Sequence, residues 1–282
     1  MKNDLNAVYQ EVLEVGESPI WDIKQNRLLF IDIRGRSVYI GIPNADGFNK
    51  TSYPQQIGCV AICDNGDLLL AMEDGVYRTD ESGALALAHQ KVKIKGRRFN
   101  DGKIGPDGAF YLGTTDNDGQ GAFYRLKEGI LVELFDGCAC SNGIEWTRDG
   151  KLMYYIDSPR QEIEVFNFDE TVGKLSGRRK FIEIPSEWGL PDGMTLDGND
   201  DIWVALWGGH RVLHIDNESG KIVEEIRVPC PKASSCAFGG DELSELYITT
   251  AAIGDAENYP EAGNVFKVNL NVKGKPINYY KW

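Results

Sequence analysis

The sequence predicts an all-β fold, a six-bladed β-propeller with four antiparallel strands per blade. Three observations carry this. A turn-and-strand unit recurs six times, its strands alternate or run apolar, and no stretch of comparable length shows a 3.6-residue apolar period. The unit opens on a turn rich in Asp, Asn and Gly and continues into a short apolar strand. Its first two copies are Asp22-Ile23-Lys24-Gln25-Asn26 before Arg27-Leu28-Leu29-Phe30-Ile31-Asp32, and Asp64-Asn65-Gly66-Asp67 before Leu68-Leu69-Leu70-Ala71-Met72. The turns Pro106-Asp107-Gly108, Arg148-Asp149-Gly150, Gly198-Asn199-Asp200 and Gly239-Gly240-Asp241 open the other four. The strand starts lie roughly 40 to 50 residues apart, enough for the four short strands and turns of one blade.

A second strand follows in each unit, as Gly75-Val76-Tyr77-Arg78, Gly121 to Leu126, Ile163 to Phe168, Arg211 to Ile215 and Asn264 to Val268. Each alternates or runs apolar, as half-buried strands do. Helix is expected to be scarce. Ala7 to Val15 is placed to close the ring by pairing with the last blade. At 282 residues the chain is expected to form one domain over 1–282, because propellers of this length do so.

Composition excludes several function classes. The formal net charge is −13, which argues against nucleic acid or an anionic membrane as partner, since both need a positive surface. Met1-Lys2-Asn3-Asp4-Leu5-Asn6 has no apolar segment behind its lysine, and no stretch approaches the length of a membrane span. The expectation is a soluble, cytoplasmic protein. Cys59, Cys63, Cys138, Cys140, Cys230 and Cys236 are expected to be buried free thiols, since they are few for this length and form no zinc-binding spacing.

Site residues of a propeller gather at one mouth of the channel, so they should be spread through the sequence, one or two per repeat. Four segments just before a repeat's turn look like loops at that mouth: Gly16 to Trp21, Arg97 to Lys103, Ser141 to Ile144 and Leu190 to Met194. Their equivalent placement would let Glu17, Asn142 and Asp192 converge. Two carboxylates and an amide carbonyl form an oxygen set suited to a hard divalent cation, with positions left for water and substrate.

Other features carry less. His210 and His214 are four apart along a strand, roughly 13 Å, which is too far to chelate one ion. His89 falls in a polar stretch, and no Gly-x-Ser-x-Gly elbow supports a serine triad. Lys91 to Arg98 alternates Lys with Val and Ile and is expected to be a strand with one wet face rather than a nucleic-acid patch. Trp146, Trp188, Trp203 and Trp207 are expected in the core, with the mouth as the alternative place for Trp188 in the loop leading to Asp192.

Several ordered motifs resemble the senescence marker protein/regucalcin/gluconolactonase family, end to end. They are Gly16-Glu17-Ser18-Pro19-Ile20-Trp21, Arg98-Phe99-Asn100-Asp101-Gly102-Lys103, Ser141-Asn142-Gly143-Ile144-Glu145-Trp146, Tyr154-Tyr155-Ile156-Asp157-Ser158, Pro191-Asp192-Gly193-Met194 and Ser234 to Gly240. The resemblance implies a six-bladed propeller with one divalent cation in its channel (Ca, Zn, Mg, Mn or Fe(II)) and hydrolysis of a sugar lactone. It places Glu17, Asn142 and Asp192 as metal ligands and Arg98 and Asn100 as substrate contacts. A further acidic contact falls in the loop after Gly113-Thr114, shorter here than in vertebrate members; Asp118 takes that place, with Asp116 as its rival. The implied mechanism makes Asp192 both ligand and general base. The alternatives are a calcium-binding propeller without turnover and a hydrolase of another lactone, ester or phosphoester.

Overall fold

The computed structural model describes residues 4–43, 47–80, 83–89 and 93–282. They form six four-stranded antiparallel sheets arranged as the blades of a propeller. Strand β1 (Asn6–Tyr9) comes first and belongs to the last blade. Blade 1 holds β2 (Gly16–Asp22), β3 (Arg27–Asp32), β4 (Ser37–Ile42) and β5 (Gly47–Ser52). Blade 2 holds β6 (Ile57–Ile62), β7 (Leu68–Met72), β8 (Val76–Thr79) and β9 (Leu85–Leu87). Blade 3 holds β10 (Arg98–Ile104), β11 (Phe110–Thr115), β12 (Gly121–Lys127) and β13 (Ile130–Cys138). Blade 4 holds β14 (Ser141–Trp146), β15 (Leu152–Asp157), β16 (Glu162–Asp169) and β17 (Lys174–Glu183). Blade 5 holds β18 (Leu190–Leu196), β19 (Ile202–Trp207), β20 (Arg211–Ile215) and β21 (Ile222–Arg227). Blade 6 holds β22 (Ala233–Gly239), β23 (Glu245–Thr250) and β24 (Val265–Asn269).

The recurrent turn of the sequence joins the first strand of a blade to its second. Its acidic or amide side chain folds back on the chain: Asp22 accepts from the Lys24 N–H at 3.2 Å, Asp149 from Lys151 at 3.0 Å and Asp197 from Asn199 at 2.8 Å. Such bonds make Asp and Asn preferred turn formers. A cation often staples the other carboxylate oxygen of the turn, Arg27 on Asp22 at 3.2 Å and Arg125 on Asp107 at 2.7 Å. In blade 5 a histidine, His214, occupies that place. It stacks on Trp203 at 4.1 Å with its Nε2 3.6 Å from Asp197 and from Asp201.

The core is divided among the blade interfaces. Leu29, Val60 and Leu70 pack between blades 1 and 2, Phe99, Phe110 and Tyr124 between 2 and 3, and Tyr111, Trp146 and Phe166 between 3 and 4. Ile156, Met194 and Leu206 fill the next gap, Trp203, Phe238 and Phe266 the one after, and Trp21, Phe30 and Tyr247 the last. The outermost strands β17 and β21 are mostly exposed and carry Lys, Arg and Glu. Charge on an edge strand discourages pairing with another molecule.

The ring is closed by β1, which runs antiparallel to β24 with Ala7 opposite Phe266, so only the first part of the expected 7–15 donor is strand. Residues 273–282 cross one end of the channel and touch every blade. Tyr279 donates to Asp22 at 3.0 Å, Tyr280 N to Ile62 O at 2.9 Å and Lys281 N to Gly108 O at 3.1 Å. Lys275 pairs with Glu145 at 3.0 Å, Gly198 N donates to Lys273 O at 2.7 Å, and Gly274 N donates to Leu243 O at 2.7 Å.

Two expectations are corrected here. The four segments expected as mouth loops are the innermost strands β2, β10, β14 and β18, with β10 beginning at Arg98. The run from Lys91 forms no strand over 93–97, and Lys91 and Val92 lie outside the described residues. Gly96, at φ +90°, turns the chain there, and Lys95 instead pairs with Glu133 at 2.7 Å and Asp136 at 2.9 Å. The cysteines are free, all buried except the half-buried Cys140.

Candidate metal centre and substrate mouth

Each innermost strand is interrupted by a β-bulge near its start, between Glu17 and Ile20, Phe99 and Gly102, Asn142 and Ile144, and Pro191 and Met194. Blades 2 and 6 repeat it between Ile57 and Cys59 and between Ala233 and Ser235. A bulge re-aims a side chain without ending the strand. The six innermost strands touch in sequence around the ring, with β22 against β2. Their approach leaves no room for a Cβ at Gly143, which would stand 2.6 Å from the Asp192 carbonyl, or at Gly58, 2.2 Å from that of Phe99. Ser18, in the bulge of β2, takes the left-handed conformation at φ 50°, and its hydroxyl accepts from Val60 N at 3.1 Å. Strain of this kind collects at functional sites.

Glu17, Asn142 and Asp192 are 7%, 5% and 6% exposed. Burial, then the charge of Asp101, pushes the Glu17 carboxyl up to about 8, against the Ser18 N–H and Arg98. Asp192 is raised well above the carboxylate range by burial, then by Glu17 and Asp101. Asp192 therefore senses Glu17, and both sense Asp101. Neither forms an ion pair with a protein cation among the described residues.

The orientation of the Asn142 amide follows from its neighbours. Ser158 has one hydroxyl proton and donates it to Pro191 O at 2.6 Å, so its oxygen accepts from Asn142 Nδ2 at 2.7 Å. The Asn142 oxygen is thereby turned to the other side, where Asn100 Nδ2 meets it at 2.7 Å. Asn100 Oδ1 in turn accepts from Arg98 Nη1 at 2.7 Å. A hydrogen-bonded line thus runs from Arg98 through Asn100, Asn142 and Ser158 across blades 3, 4 and 5.

Five of the six site residues expected from sequence are gathered here: Glu17, Arg98, Asn100, Asn142 and Asp192. Asp118 is exposed at the tip of a turn, and no hydrogen bond or ion pair ties its carboxylate to these residues among the described residues. Asp116 uses its carboxylate within that turn, accepting from Asp118 N at 2.9 Å and Gln120 N at 3.3 Å. Asn117 is the residue of this loop that lines the mouth, in a cavity of about 590 Å³ shared with Arg98. Trp188 is half-buried against the core between blades 4 and 5, with the Arg211 guanidinium 5.7 Å from its ring centre.

Sequence reasoning gave no role to Asp101 or Ser158, although both fall in its motifs. Asp101 accepts from Gly102 N at 2.7 Å and is raised by burial, against the pull of Lys103. His89 is buried rather than in an open polar stretch, and its Nε2 accepts from Val76 N at 3.1 Å. Asp197, Asp201 and His214 offer ligand atoms within 4.8 Å of one another, but at the turn end of blade 5.

Two buried carboxylates without an ion-pair partner among the described residues, with the amide oxygen of Asn142 in the same channel, fit a hard divalent ion, which would offset their charge. A pH dependence follows. With the Glu17 carboxyl raised from 4.5 to about 8, the folded metal-free protein keeps a proton that the unfolded chain has lost between those values. Stability therefore falls as pH rises through that window. Calorimetry of chelator-treated protein should show the melting temperature falling from about pH 5 to pH 8, with a shallower slope in Glu17→Gln. An equally steep slope in that variant would refute the assignment.

The fold and site define a six-bladed propeller with one oxygen-lined centre in its channel. Residues 15–252 match the model of the SMP-30/Gluconolactonase/LRE-like region, and the chain belongs to that family. It is 35% identical to the regucalcin of Xenopus laevis over 286 residues, 96% of each chain. It is 37% identical to the putative sugar lactone lactonase YvrE of Bacillus subtilis over 270 residues, 92% of each. In fold it is similar to a calcium-binding protein, regucalcin, from Agrobacterium tumefaciens, with a TM-score of 0.93 over 99% of this chain and 98% of that one at 24% identity. Among the described residues no helix is long and apolar enough to cross a membrane.

Proposed function

We propose that this chain hydrolyses a small sugar lactone with the help of one divalent cation held by Glu17, Asn142 and Asp192. The observation that carries the reading is the pair of buried carboxylates, Glu17 and Asp192, left without an ion-pair partner among the described residues, with the Asn142 amide oriented by Asn100 and Ser158. The family match and the relative named as a sugar lactone lactonase support it. A cation bound there supplies Lewis acidity towards the lactone carbonyl.

The protein's own groups do the rest. Asp192, kept ionised by the bound cation, orients the attacking water and takes its proton. As the water oxygen bonds to the carbonyl carbon, the ring C–O bond breaks and the proton passes to the departing ring oxygen, leaving the open-chain acid. Arg98 spends one nitrogen on Phe99 O at 2.8 Å and on Asn100, and directs its remaining donors to substrate oxygens. Asn100 holds the Asn142 amide in place.

A pH-indicator assay over a panel of aldonolactones tests this, first with chelator and then with Ca²⁺, Mg²⁺, Mn²⁺, Zn²⁺ or Fe²⁺ restored. Hydrolysis is expected only with metal. Failure on every lactone, with metal demonstrably bound, would favour the second reading, a metal-binding propeller without turnover, which the relatives named regucalcin support.

A further inference from the structure

We infer that the lactone taken by this site carries an anionic substituent, a carboxylate or a phosphate, away from the ring carbonyl, and that Arg97 receives it. This rests on the reading of the site as a lactonase. The cavity that reaches the site at Arg98 is lined by Glu14, Arg34, Glu73, Arg97, Arg98 and Asn117, among others. In a chain of net charge −13, the gathering of Arg34, Arg97 and Arg98 at one mouth reverses the prevailing sign.

These charges are not all engaged. Arg34 is tied to Glu14 at 3.1 Å, which neutralises both. Arg98 lies beside Asn100 and serves the reacting end of the substrate. Arg97 is exposed, and its guanidinium has no ion pair among the described residues. Its backbone N–H is fixed to Thr115 O at 2.9 Å, which anchors the base of the side chain at the edge of blade 3. Glu73 is the remaining acid of the mouth, and one of its oxygens accepts from Gln56 N at 3.2 Å.

A cavity of about 590 Å³ is larger than a six-carbon lactone needs, and it has Arg97 and Arg98 side by side in its lining, so a substrate held at its reacting end by Arg98 has space beside Arg97 for a further group. Neutral hydroxyls would leave that guanidinium facing water. A carboxylate or phosphate oxygen matches its forked donors. The attraction acts over a few ångströms, within the screening length of about 8 Å at physiological salt, so the distant negative charges of the chain oppose it only weakly.

The test uses the metal-loaded full chain and three substrates: a neutral aldonolactone, an aldarolactone whose far end is a carboxylate, and an aldonolactone phosphorylated at its terminal hydroxyl. The expected result is a kcat/KM at least about tenfold higher for one or both anionic lactones, arising in KM, with the better of the two identifying the group. Arg97→Gln should cut the anionic-to-neutral ratio by about tenfold, and Arg97→Lys should keep more of it. Raising the salt should shrink the preference.

Equal kcat/KM on all three, or an Arg97→Gln variant with an unchanged ratio, overturns the inference while leaving lactone hydrolysis standing. Should no lactone be turned over, the lactonase reading fails. Calorimetric titration with aldarate and with aldonate then decides the matter of Arg97: tighter aldarate binding that Arg97→Gln abolishes sustains the anion site, and equal binding removes it.

Discussion

Asp192→Ala is expected to lower kcat/KM for lactone hydrolysis by about 10³-fold or more, since in the proposed mechanism it removes a general base and a charged metal ligand together. The same change should leave the metal-free protein as stable as the parent, or more so. Burial and the charges of Glu17 and Asp101 raise the Asp192 carboxyl, so its ionised form is a burden that a proton or a bound cation relieves. A conserved melting temperature with lost turnover is the result that separates a functional role from a folding role. Asp192→Asn refines it, because the amide keeps an oxygen for the cation but cannot accept the proton. Near-normal turnover in either variant would remove Asp192 from the chemistry.

Glu145→Ala is expected to be the more damaging change to stability. Burial disfavours the Glu145 carboxylate, but Lys103 and Lys275 outweigh it and hold the group down at about 2. Lys103 Nζ reaches one carboxylate oxygen at 2.9 Å and Lys275 Nζ the other at 3.0 Å. Truncation leaves two ammonium groups facing one another in the channel. Removing one partner of a buried pair destabilises by about 3–5 kcal/mol, and the low end applies because a third of Lys103 remains exposed. For a chain of this size, calorimetry at neutral pH should show a fall of roughly 6–12 °C.

The double variant Glu145→Leu/Lys103→Met should recover part of that loss, because the charges are then removed together. The Glu145 contribution has its own pH window. Present above the ordinary carboxyl value of 4.5, it is lost as pH falls through that value towards about 2. A Glu145→Ala protein that melts like the parent at pH 7 would show that the lysines find water instead.

The blade count was legible because the signal is short-range. Asp22, Asp107, Asp149 and Asp197 each bond to a backbone N–H two residues on, and a local rule can see that. The innermost strands were hidden for the opposite reason. Gly16-Glu17-Ser18-Pro19 carries a glycine, a charge and a proline where a strand should be apolar, because the channel needs that chemistry and the bulge accommodates it. Asp101 and Ser158 acquire their roles only when blades meet, Asp101 through Glu17 and Asp192, Ser158 through Asn142 and Pro191 O. The choice between Asp116 and Asp118 overlooked the Asn117 between them, because which side chain of a tight turn faces the mouth depends on the turn's geometry.

The segment 273–282 gives the channel a direction of traffic. It lies across the end where Lys275, Pro276, Ile277 and Asn278 border a cavity of about 230 Å³, while the other end opens beside Arg98. If the proposed hydrolysis takes place at Asp192 and the covered end admits no passage, the acid formed there would back out past Arg98 before the next lactone enters. Accumulating product would then compete for the doorway, and turnover in a closed vessel is expected to slow before the lactone is exhausted.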